Sequence, residues 1–376
     1  MQTNVDVLII GGGLAGLAAA IHLSQKGKVV TVVEKSAYPR HKVCGEYISN
    51  EIIPYLESLG MDVMLLHPAR INQFHFSTQR GISATAPLPL GGFGISRYVL
   101  DAFMYQKAIA SGCQMAEDTV TQIAFTNDRF TVGTATQEFS AGVVLGAYGK
   151  RSNVDQILSR DFIRKKSPWL AVKAHYSGEF PNNVVALHNF SGGYCGVSNV
   201  ENNTINICYL AHYNSFKKYK NIAQYQREVL CKNPQLKSIL ESSTLLFEKP
   251  LTISQISFDK KQPVADHILM IGDTAGLIHP LCGNGMAMAL HSAQIAATLV
   301  LDFYSGAITS RALLENTYRR EWQKHFGKRL RTGRMLSGIL RNTTLTNLLL
   351  PLLVRFPALL PKIIRQTHGK PIILTP

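Results

Sequence analysis

The feature that most constrains the fold is a glycine cluster near the N-terminus, set between two apolar segments. Val5–Ile10 is short, apolar and stopped by glycine, as a buried strand would be. Gly11-Gly12-Gly13-Leu14-Ala15-Gly16 follows and fits G-x-G-x-x-G. Leu14 to Gln25 reads as a helix, and Lys28–Val33 as a second buried strand running into Glu34. Strand, glycine turn, helix and strand, with an acid at the end, begin a doubly wound parallel sheet that binds a dinucleotide. Gly11 permits the tight turn, Gly13 lets backbone approach a pyrophosphate, and Gly16 lets the helix pack on the strand. Leu14 and Ala15 open that helix, whose free N–H groups face the phosphates. Glu34 is expected to accept hydrogen bonds from the adenosine ribose, with Lys35 beside it in the same site. The acid excludes a 2′-phosphate, but the fingerprint alone does not separate FAD from NAD.

Further along, Tyr98 to Ala110 reads as a helix, followed by short strands at Val120–Phe125, Phe130–Gly133 and Val143–Leu145. Residues 169–211 alternate in strand fashion around a turn at Ser191–Gly193, which predicts an antiparallel sheet forming the wall of a substrate domain. Tyr219 to Leu240 reads as a helix, His267–Ile271 as a buried strand, and Gly285 to Phe303 as a long helix. The expected fold class is α/β: a doubly wound, Rossmann-like dinucleotide-binding domain, an inserted antiparallel-sheet substrate domain and a helical C-terminal tail. The expected boundaries are 1–160 and 262–310 for the first, 161–261 for the second and 311–376 for the basic, apolar third.

The segment Ile271-Gly272-Asp273-Thr274-Ala275-Gly276, continuing through His279-Pro280-Leu281-Cys282-Gly283-Asn284-Gly285-Met286, decides between the dinucleotides. It resembles the geranylgeranyl reductase branch of the FAD-dependent aromatic-hydroxylase (group A flavin monooxygenase) superfamily, which carries Gly-Asp-Ala-Ala-Gly, then Pro, then Gly-x-Gly at this spacing. The resemblance implies FAD, with Gly272 and Asp273 at the ribityl chain. Pro280 and Gly283 to Met286, including Asn284 and Gly285, would lie at the flavin N1/O2 edge. A helix N-terminus at Gly285 can also stabilise the negative charge of a reduced flavin. Arg40-His41-Lys42-Val43-Cys44-Gly45-Glu46 resembles the Lys-x-Cys-Gly segment of the same branch, which places Arg40, Cys44 and Gly45 along the flavin. Arg97 matches the family's arginine before a helix. The matching motifs cover 1–50, 95–155 and 265–300.

The chain departs from the family at two places. Tyr148 stands where the relatives carry an Asp that helps both FAD and NAD(P)H binding. Only Tyr194 survives of the reductases' Tyr-x-Trp-x-Phe-Pro segment, and it is the one residue assigned to substrate. The halogenases' Trp-x-Trp-x-Ile-Pro segment is missing, the tryptophans being Trp169 and Trp322.

Three readings remain open. The first is reduction of a C=C bond in an isoprenoid- or polyketide-like, lipophilic molecule, with Cys44 and His279 as catalytic candidates and Glu46 and Tyr194 as further candidate acids. The second is FAD-dependent hydroxylation of a phenolic or polyketide ring. The third is flavin binding without catalysis. The partners expected are that small molecule and an external electron donor: a reductase, a ferredoxin or NAD(P)H. Six cysteines without a CxxC pair or metal-ligand spacing fit thiols in a cytoplasmic enzyme and no metal. The net charge of +15 is uneven, with thirteen basic residues against Glu315 and Glu321 from residue 311 onward. The tail reads as docking on the protein or lying at the inner face of a membrane, since Pro351, Pro357, Pro361 and Arg355 break the apolar run Leu345 to Ile364. No nucleic-acid motif accompanies the charge, and no nucleic acid is expected.

Overall fold

The computed structural model describes residues 2–341, 351, 354–356 and 358–372. The N-terminal apolar run forms β1 (Gln2–Ile10), the glycines turn, and α1 (Leu14–Gln25) leads to β2 (Val30–Glu34). β1 sits centrally in an eight-stranded sheet, parallel to β2 on one side and to strand Glu138–Gly146 on the other. Strands Ile268–Met270 and Gln114–Glu117 extend the parallel core, so the nucleotide sheet draws on widely separated segments. Its central strands are apolar almost throughout because helices cover them; Val7, Leu8 and Ile9 have no exposed surface. One covering helix, Gly285–Tyr304, is long and apolar enough to cross a bilayer. Here it is a core helix, packed against α1 and against helix Arg311–Arg341.

The second sheet has nine strands and is mixed. Its centre is the expected set: Trp169–Ser177, Val184–Phe190, Gly193–Asn199 and Ile205–His212. The boundary at 161 does not hold, however. Strands Tyr47–Ser49, Ala69–Ser77 and Ser83–Gly94 join the same sheet, and Ala69–Ser77 pairs parallel with Val184–Phe190. That pairing makes the sheet mixed, not antiparallel. Pro87, Pro89 and the glycines at 91, 92 and 94 give the third of these strands the composition of a loop, and only long-range pairing makes it a strand.

The helix expected over Tyr219–Leu240 is two, Ile222–Glu228 and Pro234–Glu241. Pro234 cannot donate within a helix but suits its first turn, and the Asn233 side chain caps the new start by accepting from the N–H groups of Gln235 and Leu236. The basic region also departs from a separate tail. Leu314, Tyr318, Trp322, Phe326 and Leu330 repeat every fourth residue along Arg311–Arg341 and enter the core of the nucleotide sheet. The Tyr318 hydroxyl donates to the Met270 carbonyl at 2.6 Å. Arg319, Arg320, Lys324, Lys328, Arg331 and Arg334 lie on the exposed face of this helix. The apolar run Leu345 to Ile364 falls largely outside the described residues.

Candidate functional site

Gly11 adopts φ +106°, and a Cβ there would lie 2.5 Å from the Ala147 carbonyl oxygen; one at Gly16 would lie 2.0 Å from the Gly11 oxygen. Both are required by close packing of turn, helix and strand. Gly13 differs, because a Cβ there meets nothing nearer than an Arg97 nitrogen at 3.8 Å. The fold does not need that glycine, and the open space beside it lies where α1 begins. Gly13 is the N-cap of α1 and no side chain caps it, so first-turn N–H groups remain for an anion. Helix Gly285–Tyr304 starts in the same manner, at Asn284, also without a side-chain cap. Gly283 before it has φ +62°.

Glu34 takes the Gly12 N–H at 2.8 Å and the Arg40 guanidinium at 2.7 Å. These fix the carboxylate at the end of β2 and leave lone pairs for ribose hydroxyls. The Tyr38 hydroxyl donates to the Gly12 carbonyl, and its ring stacks on Tyr105 at 4.5 Å. Lys35 is exposed and has no partner among the described residues. Arg97 is not a surface arginine. Its guanidinium makes two hydrogen bonds to Asp101, at 2.6 and 2.7 Å, and Lys42 joins the same carboxylate at 2.8 Å. Burial works against the Asp101 charge, but the two cations outweigh it and hold its pKa low.

Asp273 is half-buried and its carboxylate has no hydrogen-bond partner among the described residues; its backbone carbonyl accepts from Lys261. This free acceptor and the two uncapped helix starts form a cradle suited to the diphosphate and polyol of FAD. Asn284 contributes backbone only. Its side chain is fully buried the other way, between Glu51 at 3.3 Å and Arg329 at 3.2 Å. Asp273→Ala should weaken FAD binding by about 1–3 kcal/mol, the cost of a lost charged acceptor, without altering thermal stability of the FAD-free protein. Fluorescence titration with FAD measures it, and unchanged affinity would remove Asp273 from the site.

The catalytic candidates separate. Cys44 faces Met286, with the two sulfurs 3.5 Å apart, and its carbonyl and that of Gly45 accept from Asn206. The thiol thus packs against the first turn of helix Gly285–Tyr304. His279 and Tyr194 come together at the start of the Pro280–Cys282 turn, with Tyr194 Oη 3.2 Å from His279 Nδ1 and Ser337 Oγ 2.8 Å from His279 Nε2. Phe258 stacks on the imidazole at 4.4 Å and Trp169 meets it edge-on. Burial raises the Tyr194 pKa well above its ordinary value, so the hydroxyl stays protonated. Tyr194, His279, Ser337 and Trp169 line a cavity of about 190 Å³ with Phe190 and Leu281, the residue after Pro280.

Glu46 is not an acid catalyst. It is fully buried, with φ +54°, and is bonded to Lys173 at 3.0 Å, His175 at 2.6 Å and the Arg97 N–H at 2.9 Å. Burial alone would raise its pKa, but the His175 bond and the Lys173 charge prevail and lower it. The carboxylate ties the Cys44–Gly45 loop to the second sheet. A lysine within the otherwise buried strand Trp169–Ser177 was its sequence signal. Tyr148 points its hydroxyl at Met270 Sδ, 3.4 Å away, with Arg160 at the same distance.

A family model described as FAD binding domain matches residues 4–330. The chain is 24% identical over 360 residues to conditioned medium factor receptor 1 of Dictyostelium discoideum, covering 87% of this chain and 69% of that protein. It is 27% identical over 356 residues to digeranylgeranylglycerophospholipid reductase 1 of Methanothermobacter thermautotrophicus, covering 87% and 84%. Among solved structures it resembles the flavin-dependent brominase Bmp2, with a TM-score of 0.80 at 17% identity over 97% of this chain and 93% of that one.

Proposed function

Since the chain belongs to the FAD binding domain family, and is thus an FAD-dependent oxidoreductase or monooxygenase, we propose that it reduces a carbon–carbon double bond in a lipophilic, isoprenoid- or polyketide-like molecule. The observation that carries this reading is the Tyr194–His279–Ser337 chain at an aromatic-lined cavity. At about 190 Å³ the cavity is smaller than the ~300–1,000 Å³ of a typical small-molecule site. It suits one unsaturated segment of a longer chain or a single ring. The Gly13, Asp273 and Gly283 to Met286 cradle would hold FAD, which in its reduced form would supply the hydride for one carbon of the double bond. Tyr194 supplies the proton to the other carbon, and His279, held between Tyr194 and Ser337, returns a proton to the phenol. Trp169, Phe190 and Leu281 keep water out. A relative named as a digeranylgeranylglycerophospholipid reductase supports the substrate class.

The test is a single turnover without oxygen. Protein reduced with dithionite and mixed with an unsaturated isoprenoid should be reoxidised as the saturated product forms. Tyr194→Phe should slow that step by about 10²–10⁴-fold. Reoxidation that requires O2 and yields a hydroxylated ring would replace this reading with the monooxygenase one.

Electrons are proposed to arrive from a partner reductase, a ferredoxin or diffusible reduced flavin. Tyr148 fills the position from which the relatives' Asp serves the nicotinamide, and its hydroxyl is turned inward to Met270 and Arg160. NADPH and NADH should therefore reduce the flavin far more slowly than turnover rates of ~1–1,000 per second. Anaerobic stopped-flow absorbance reads this directly, and fast reduction by either nucleotide would show that Tyr148 permits direct hydride transfer.

A further inference from the structure

We propose that a second cavity, walled by Tyr47, binds an anionic amphiphile: a phosphoryl headgroup carrying an apolar chain. The inference does not rest on the proposed reaction. The cavity measures about 850 Å³ and lies among helix Arg311–Arg341, helix Gly285–Tyr304, strand Ser83–Gly94 and the segment Ile364–Ile372. The Tyr47 ring also packs against Gly283, where an added Cβ would meet it at 3.1 Å, so the cavity shares a wall with the turn of the flavin site.

Lys324, Arg329, Arg365 and Lys370 line it, and no Asp or Glu does. Arg329 is matched by the buried Glu51 at 3.1 Å, and Lys324 by Glu321 at 2.9 Å on its own helix. Arg365 and Lys370 have no ion pair among the described residues. Four cations and, among the described residues, no acid make the cavity electropositive, and arginine forks fit phosphoryl oxygens in particular.

The imidazoles are a separate observation. His291 Nδ1 and His368 Nε2 are buried, on residues lining this cavity, and neither has a hydrogen-bond partner. Both atoms are closed off from the cavity, so the two imidazoles bound it without offering a free ring nitrogen to a ligand. Burial, then the nearby His325 and Arg329, push the His291 pKa down to about 3. An imidazole kept neutral adds no charge of its own, so the charge of the cavity is set by its lysines and arginines.

The chain of the ligand follows from the remaining wall. Leu88, Leu90, Ile364 and Ile372 are apolar and contiguous with the cations, an arrangement that inorganic phosphate alone would not use. The wall is also built in. The Gly369 N–H donates to the Glu51 carboxylate and the Ile372 N–H to the Glu51 carbonyl at 2.8 Å.

Calorimetric titration of the FAD-loaded protein with dihexanoylphosphatidic acid, below its micelle concentration, tests the proposal. Saturable one-to-one binding is expected. Arg365→Ala combined with Lys370→Ala should weaken it about tenfold or more while FAD content stays the same, since both side chains are exposed and hold nothing in place. No binding, or equal binding by the double variant, would overturn the site. Equal affinity for dihexanoylphosphatidylcholine would overturn the anionic headgroup, and equal affinity for inorganic phosphate would overturn the apolar chain.

Discussion

Gly13→Val is expected to yield a folded protein that no longer holds FAD. The two effects separate because of what surrounds this glycine. Its backbone is extended, at φ −85° and ψ −176°, which a β-branched residue adopts readily. A Cβ there finds open space, with an Arg97 nitrogen at ordinary contact distance. The valine methyl groups would project into that space, in the path of the pyrophosphate to the N-terminus of α1. An affinity loss on the order of 100-fold or more follows, since phosphate oxygens cannot reach the first-turn N–H groups. Gly16→Val is the contrasting case, because a Cβ there collides with the Gly11 carbonyl oxygen at 2.0 Å. That variant should fail to fold. Visible flavin absorbance of the purified protein, together with thermal unfolding of the FAD-free form, reads both outcomes. A Gly13→Val protein with a normal flavin spectrum would show that the phosphates bind elsewhere.

Glu46→Ala should lower stability by about 3–5 kcal/mol, the usual consequence of leaving a buried charge without its partner. Lys173 has no exposed surface, and its ammonium bonds to Glu46. Removing the carboxylate strands that cation, releases His175 and frees the Arg97 N–H. Denaturant unfolding should show a lower midpoint at unchanged slope. Adding Lys173→Met should recover much of the loss, whereas additive losses would mean that the pair is not coupled. The pH dependence has a definite sign. The Glu46 pKa is depressed in the folded protein. Its contribution is therefore complete above the ordinary glutamate range and fades as pH falls through that range toward the lower folded value. Stability of the Glu46→Ala protein should depend less on pH over that acid window.

The parts of this protein that local chemistry governs could be read from residue order. Gly11, Gly13, Gly16 and Glu34 declare strand, turn, helix and ligand chemistry within a single stretch of about thirty residues, and α1 runs over Leu14–Gln25 as its pattern predicts. The segment around Asp273 and Gly283 is equally local, and it set FAD apart from NAD. Tertiary structure decided everything that depends on distant pairing. The strands between Tyr47 and Gly94 join the second sheet because Ala69–Ser77 finds Val184–Phe190 across a hundred residues, and no local periodicity encodes that choice. Asn284 and Cys44 sat in motifs that named their neighbourhood but not their direction; the fold turned the Asn284 side chain to Glu51 and the thiol to Met286. Tyr194 and His279 were separate candidates until folding set them 3.2 Å apart, with Ser337 supplied by a helix that the sequence assigned to a separate basic C-terminal region. A motif fixes the backbone over a few residues, whereas a side chain's protonation and partners are set by whatever the rest of the chain packs against it.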